Sequence, residues 1–180
     1  MSLLILHTND THGVLGKPET GVAEALRRLC DAEKPDLYLD AGDTISAGNL
    51  GVRLGGEPAL EVLSELGCNA MTLGNRETHP RKECFPRKVD RARFPLLCAN
   101  MQARGEATNP TRPHLVWQHK GVSVGILGVS VPMFTSKQWT QPLCDYTFHD
   151  PLETAKRQVE ELRPQVEVLI ALTHIGYARD

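Results

Sequence analysis

The chain has 180 residues, of which 41% are apolar and 23% charged; that mixture can bury the core of one domain and excludes a disordered or fibrous chain. Twenty Lys and Arg against 22 Asp and Glu leave a net charge of −2, which argues against a nucleic-acid polymer or a membrane surface as partner, and no apolar run reaches the roughly 18 residues of a transmembrane helix. The opening stretch has no basic segment and its apolar run ends at Leu6. The expectation is a cytoplasmic protein, or a periplasmic one if a leader has been removed.

In chain order the pattern is strand, loop, helix, repeated. Residues 3–6 form a short apolar run, followed at once by polar residues 8–13. Val22, Ala25, Leu26 and Leu29 recur at helical spacing and predict an amphipathic helix over 21–33, stopped by Pro35. A strand at 37–39 runs into Asp40-Ala41-Gly42-Asp43. A second helix carries Leu60, Leu63 and Leu66, with Gly67 just past its end. Residues 70–73 read as a third strand ending in Gly74-Asn75-Arg76-Glu77, and 95–99 as a fourth. Residues 102–113 read as a loose loop. A Lys120-Gly121 turn joins 115–117 to 122–131 as a hairpin. Asp150 caps a last helix, with Pro151 first and Glu153 third, and Leu152, Ala155, Val159 and Leu162 as the expected buried stripe. A final strand at 166–172 leads into Thr173-His174. Strands alternating with helices predict an α/β layered fold with a largely parallel sheet, mixed by the hairpin. In such folds ligands bind beyond the carboxyl ends of strands.

Four predicted strands end in residues able to bind metal: Asp10 and His12, then Asp43, then Asn75, then His174. Asp-x-His in an extended segment points both side chains the same way, and Gly42 lets Asp43 approach a ligand closely. Each residue alone has a plainer reading, as a helix N-cap, a turn residue or a strand end. Together they form a mixed oxygen and nitrogen set suited to Mn, Zn, Fe or Co rather than Ca.

The runs Ile-Leu-His-Thr-Asn-Asp-Thr-His-Gly, Asp-Ala-Gly-Asp-Thr, Leu-Gly-Asn-Arg-Glu and Leu-Thr-His-Ile-Gly-Tyr resemble the calcineurin-like metallophosphoesterases. Within them they resemble the N-terminal domain of the 5′-nucleotidase / 2′,3′-cyclic phosphodiesterase / UDP-sugar hydrolase family. The segments Phe-Pro-Leu-Leu-Cys-Ala-Asn and Val-Gly-Ile-Leu-Gly-Val-Ser-Val-Pro fit between them in order. The resemblance implies an α/β/β/α sandwich and two divalent ions, with Asp10 and His12 on the first, Asp43 bridging, and Asn75 and His174 on the second. It implies metal-dependent hydrolysis of a small phosphoester of the nucleotide class by a water that both ions activate.

Two departures stand out. Arg76 occupies the place of the family's catalytic His, and His79 the place of its partner Asp. One reading is a swapped pair, with Arg76 steadying phosphoryl charge and His79 acting as acid. The other is a non-catalytic relative that binds metal or phosphate or serves as an assembly subunit, with Arg76 solvated or paired to Glu77. Secondly, no glycine is followed by His, so the family's Gly-His-x-His block is missing, as is its C-terminal domain. The chain is therefore expected to be a partial metallophosphatase domain whose open sheet edge a second copy could cover.

Weaker features have plainer readings. Between Arg76 and Arg93 lie seven cations and three acids, either a steering patch for anions or a solvated helix face. Trp117 and Trp139 are expected in core or edge packing rather than on a base. His7, His114, His119 and His149 match no ligand position, and Cys98 reads as a small core residue. Five cysteines without a Cys-x-x-Cys pair are expected to be reduced.

Overall fold

A parallel sheet forms one half of the molecule. Its strands are β1 (Ile5–Thr8), β2 (Leu37–Asp40), β3 (Ala70–Thr72) and β4 (Leu96–Leu97), in that order across the sheet. The computed structural model describes residues 2–176. A second sheet contains β6 (His114–His119), β7 (Val122–Ser130) and β9 (Val168–His174); β7 runs antiparallel to β6 and parallel to β9. The two sheets pack face to face through Leu37, Leu39, Ala70 and Leu97 on one side and Val124, Ile126 and Leu172 on the other.

Helices cover the outer faces. α2 (Pro58–Glu65) and α3 (Phe85–Val89) bury Leu60, Leu63, Phe85 and Val89 against Tyr38, Met71 and Leu73. α4 (Pro151–Leu162) lays Leu162 against Leu127 and Val129. The four layers are those of the expected α/β/β/α sandwich, with mixed sheets.

Local chemistry accounts for most boundaries. α1 (Val22–Glu33) begins after Gly21, which takes φ 69°. α2 ends in a Schellman motif: Gly67 N–H donates to the Ser64 carbonyl, Cys68 N–H donates to the Leu63 carbonyl, and Gly67 has φ 77°. Lys120 and Gly121, at φ 49° and 83°, form the left-handed pair that a two-residue hairpin requires. The Asp150 side chain accepts from Glu153 N–H at 3.0 Å and caps α4.

Several expectations are corrected. β1 begins at Ile5 rather than at residue 3, and β9 extends through His174. The 102–113 segment is not wholly loose: β5 (Met101–Ala103) pairs antiparallel with β8 (Tyr146–Phe148), and Arg112 bridges Leu97. The buried face of α4 is Pro151, Thr154, Gln158 and Leu162. Leu152 is 56% exposed and Val159 38%. The inward position of Gln158 is satisfied by His114, whose Nδ1 lies 2.7 Å from its Oε1; of the expected stripe, Leu162 is buried and Ala155 partly buried, and Leu152 and Val159 face outward.

Trp117 stacks on His119 at 4.6 Å at the sheet edge, whereas Trp139 is exposed rather than packed. His119 binds Asp36 and His149 faces Gln102. Cys98 is buried, its thiol pushed up to about 11 by that burial, and all five cysteines are free. Among the described residues β1 and β9 are each paired on one side only, and a cleft lined by Ile5, His7, Leu39 and Ile170 opens between them. No helix among the described residues is long and apolar enough to cross a membrane.

Candidate metal centre at the carboxyl ends of the strands

The ends of β1 and β2 continue past the sheet as two loops joined by backbone hydrogen bonds. Asp10 N–H donates to the Gly42 carbonyl (2.9 Å), His12 N–H to the Asp43 carbonyl (2.9 Å) and Gly13 N–H to the Thr44 carbonyl (2.7 Å). Asp10, His12 and Asp43 all have left-handed backbones, with φ 52°, 47° and 53°. Non-glycine residues rarely adopt that conformation, and it collects at functional sites. The Asp-x-His pair therefore converges through two left-handed turns, not through the extended segment expected.

The three side chains meet: each offers one ligand atom, and these lie within 4.8 Å of one another. His12 Nε2 is 3.5 Å from both Asp10 Oδ1 and Asp43 Oδ2. Asp43 is buried, while Asp10 and His12 are about half exposed and open the group to solvent. His174 arrives from the other sheet with Nε2 3.8 Å from Asp43 Oδ1. Its Nδ1–H donates to the Ala41 carbonyl at 2.7 Å, which fixes the tautomer and leaves Nε2 as the lone-pair nitrogen. Asp10, His12 and Asp43 together fit a borderline divalent cation, and His174, its tautomer oriented, adjoins them through Asp43.

Asn75 is at the same end, its Nδ2 donating to Asn49 Oδ1 at 2.9 Å. Arg76 lies against Asp43: its N–H donates to Oδ1 (2.8 Å), its Nε is 3.8 Å from Oδ2, and its Nη1 donates to the Ser46 carbonyl (3.2 Å). The acid partner of Arg76 is thus Asp43 and not Glu77. His79 stands outside this group. It is buried, its Nδ1 accepts from Arg81 N–H at 3.0 Å, and burial followed by the Lys88 charge holds its imidazole below the usual histidine range.

Sequence reasoning missed the groups that hold the loops. Glu77 is fully buried. Its Oε1 accepts from Thr44 and Ile45 N–H, and its Oε2 from Asp43 and Gly74 N–H, all at 2.9–3.1 Å. Desolvation pushes its carboxyl up to about 7, against the pull of those donors toward the anion. Asp40, also buried, accepts from Gly42 N–H and from the Thr44 and Thr8 hydroxyls, and burial raises its carboxyl too. Glu57 accepts from the N–H groups of Ser46 and Ala47 and from the Ser46 hydroxyl. The available signal was an acid placed beside glycine-rich loops, whose unpaired N–H groups need acceptors.

Fold and cluster together define an α/β/β/α domain with a candidate cation site at its strand ends. The calcineurin-like phosphoesterase family profile matches residues 3–179, and the chain belongs to that family. It is 26% identical over 187 residues to a 5′-nucleotidase of Vibrio cholerae, covering 97% of this chain and 34% of that protein. It is 30% identical to a 5′-nucleotidase of Mus musculus, covering 99% and 34%. Among solved structures it resembles a 5′-nucleotidase precursor of Thermus thermophilus, with a TM-score of 0.78 and 28% identity over 99% of this chain and 38% of that one. The NAD nucleotidase of Haemophilus influenzae shares the fold, with a TM-score of 0.76 at 23% identity over 98% of this chain and 35% of that one. The chain spans about a third of the length of these curated relatives. The Leu-Thr-His-Ile-Gly-Tyr motif is described through Gly176, and Tyr177 lies outside the described residues.

Proposed function

We propose that the chain is part of a metal-dependent phosphoesterase of the 5′-nucleotidase type, acting on a small phosphoester of the nucleotide class. Asp10, His12, Asp43, Asn75 and His174 would hold two divalent ions, with Asp43 shared. The single observation carrying this reading is the convergence of the Asp10, His12 and Asp43 ligand atoms within 4.8 Å. Divalent ions bound there supply Lewis-acid stabilisation of phosphoryl oxygens and lower the pKa of the attacking water.

The chain's own groups do the rest. Arg76, anchored on Ser46 and beside Asp43, supplies a permanent, planar donor for the charge that develops on the phosphoryl oxygens. His79, held at Arg81, shapes the 75–81 turn. His174, fixed through Ala41, presents a single nitrogen without reorganising.

The test is hydrolysis of p-nitrophenyl phosphate and AMP by the purified chain with Mn²⁺. Activity lost in Asp43→Ala, and reduced at least about 100-fold in kcat by Arg76→Ala with Mn²⁺ binding retained, supports the reading. A flat trace from a folded parent chain overturns it in favour of a non-catalytic relative, the reading to which the Arg76–Asp43 contact lends its weight. An unchanged rate in Arg76→Ala removes Arg76 from the reaction.

A further inference from the structure

The carboxamide of Asn75 has two chemically different ends, and only Oδ1 can serve a cation. Its Nδ2 donates to Asn49 Oδ1 at 2.9 Å, and among the described residues Oδ1 makes no hydrogen bond. Asn49 sits in a segment with no helix or strand, yet that segment is pinned. On one side the buried Glu57 carboxylate accepts from Ser46 and Ala47 N–H. On the other, Lys88, 1% exposed at its place in α3, reaches under the loop, and its Nζ donates to the Gly48 (2.8 Å) and Asn49 (3.1 Å) carbonyls. Gly51 N–H closes the turn on the Gly48 carbonyl at 2.9 Å. A cationic run that reads as a solvated helix face thus sends one ammonium inward, onto the backbone that carries Asn49.

We propose that Asn49 is a positioning residue for the metal centre: by accepting from Asn75 Nδ2 it locks the carboxamide with Oδ1 as the free end, and Lys88 holds Asn49 in register. The proposal rests on the reading of Asn75 as a ligand. It requires an acceptor at position 49 and not an amide as such. A ligand whose rotamer is set by an outer partner binds metal more tightly than one that must be oriented on binding, and losing such a partner typically costs about 10- to 100-fold in affinity.

The variants are Asn49→Leu, which removes the acceptor, Asn49→Asp, which keeps it, and Asn75→Leu. For each, Mn²⁺ binding is measured by titration calorimetry and melting is followed without metal. We expect Asn49→Leu to weaken Mn²⁺ binding about tenfold, to melt within about 2 °C of the parent, and to lose no more affinity than Asn75→Leu. Asn49→Asp restores parental binding or exceeds it. A purely structural role for Asn49 would instead lower the melting temperature and leave the affinity of the folded fraction intact, which overturns the proposal. So does failure of Asn49→Asp to rescue. Parental binding in Asn49→Leu with weakened binding in Asn75→Leu overturns the positioning role alone; parental binding in both overturns the ligand assignment of Asn75 as well.

Discussion

Replacing Gly74 by alanine probes the closest approach in the site. A Cβ built on Gly74 would fall against Oδ1, the backbone nitrogen and, at 2.8 Å, Cγ of Asp43. A Cβ on Gly42 would meet the Gly74 backbone, with Cα at 2.9 Å. The two glycines therefore let the β2 and β3 loops touch where Asp43 sits. An added methyl in a filled site costs about 1–3 kcal/mol. If the loop keeps its place, that strain lowers the melting temperature by roughly 2–12 °C for a chain of this size. If the loop shifts to relieve it, the strain returns when Asp43 is pulled back to a cation, and Mn²⁺ binding weakens by about 5- to 150-fold. The two readouts draw on one energy, so melting without metal and calorimetric titration must be run on the same sample. Gly55→Ala is the control, because nothing lies within 4 Å of its Cβ. Parental melting together with parental Mn²⁺ affinity in Gly74→Ala would refute the claim that these loops close on Asp43.

The expected stripe of α4, buried at one end and exposed at the other, gives a paired comparison: Leu162→Ala, fully buried, should cost about 2–5 kcal/mol in urea unfolding, and Leu152→Ala, 56% exposed, within about 0.5 kcal/mol. Equal losses would restore the stripe expected from periodicity. Asp36 accepts from Lys120, from Leu4 N–H and from His119, which together hold its carboxyl well below the usual range. A depressed carboxyl stabilises the fold above its unfolded pKa near 3.9 and loses that contribution as pH falls through the lower folded value. Asp36→Asn should therefore melt below the parent at pH 7, with the gap closing progressively below about pH 4; a gap that does not depend on pH would assign the loss to packing.

Much of the molecule was legible because its signals are local. Short apolar runs ending in Asp, Asn, His and Gly marked the strands and put candidate ligands at their ends, and Gly67, Lys120-Gly121 and Asp150 marked turns and caps through their own conformational preferences. What escaped depends on partners distant in the chain. β5 and β8 are three residues each, and only their pairing across more than forty residues makes them strands. Gln158 faces inward because His114 waits there, which no helical pattern encodes. Glu77 stands next to Arg76 in sequence and looked like its ion partner, but successive residues in a turn point apart; its carboxylate gathers N–H groups from two loops while Arg76 turns to Asp43. Lys88 was hidden among surface cations because only the fold shows which member of a charged run lies over unpaired carbonyls.

The three backbone bonds that stitch residues 10–13 to 42–44 extend the β1–β2 ladder beyond its last residue. Strand rigidity is thereby passed on to what would otherwise be two independent excursions of the chain, and Asp10, His12 and Asp43 move as one body. A disturbance that loosens the first strand from the second is carried to all three together, so the pocket should fail as a unit rather than ligand by ligand.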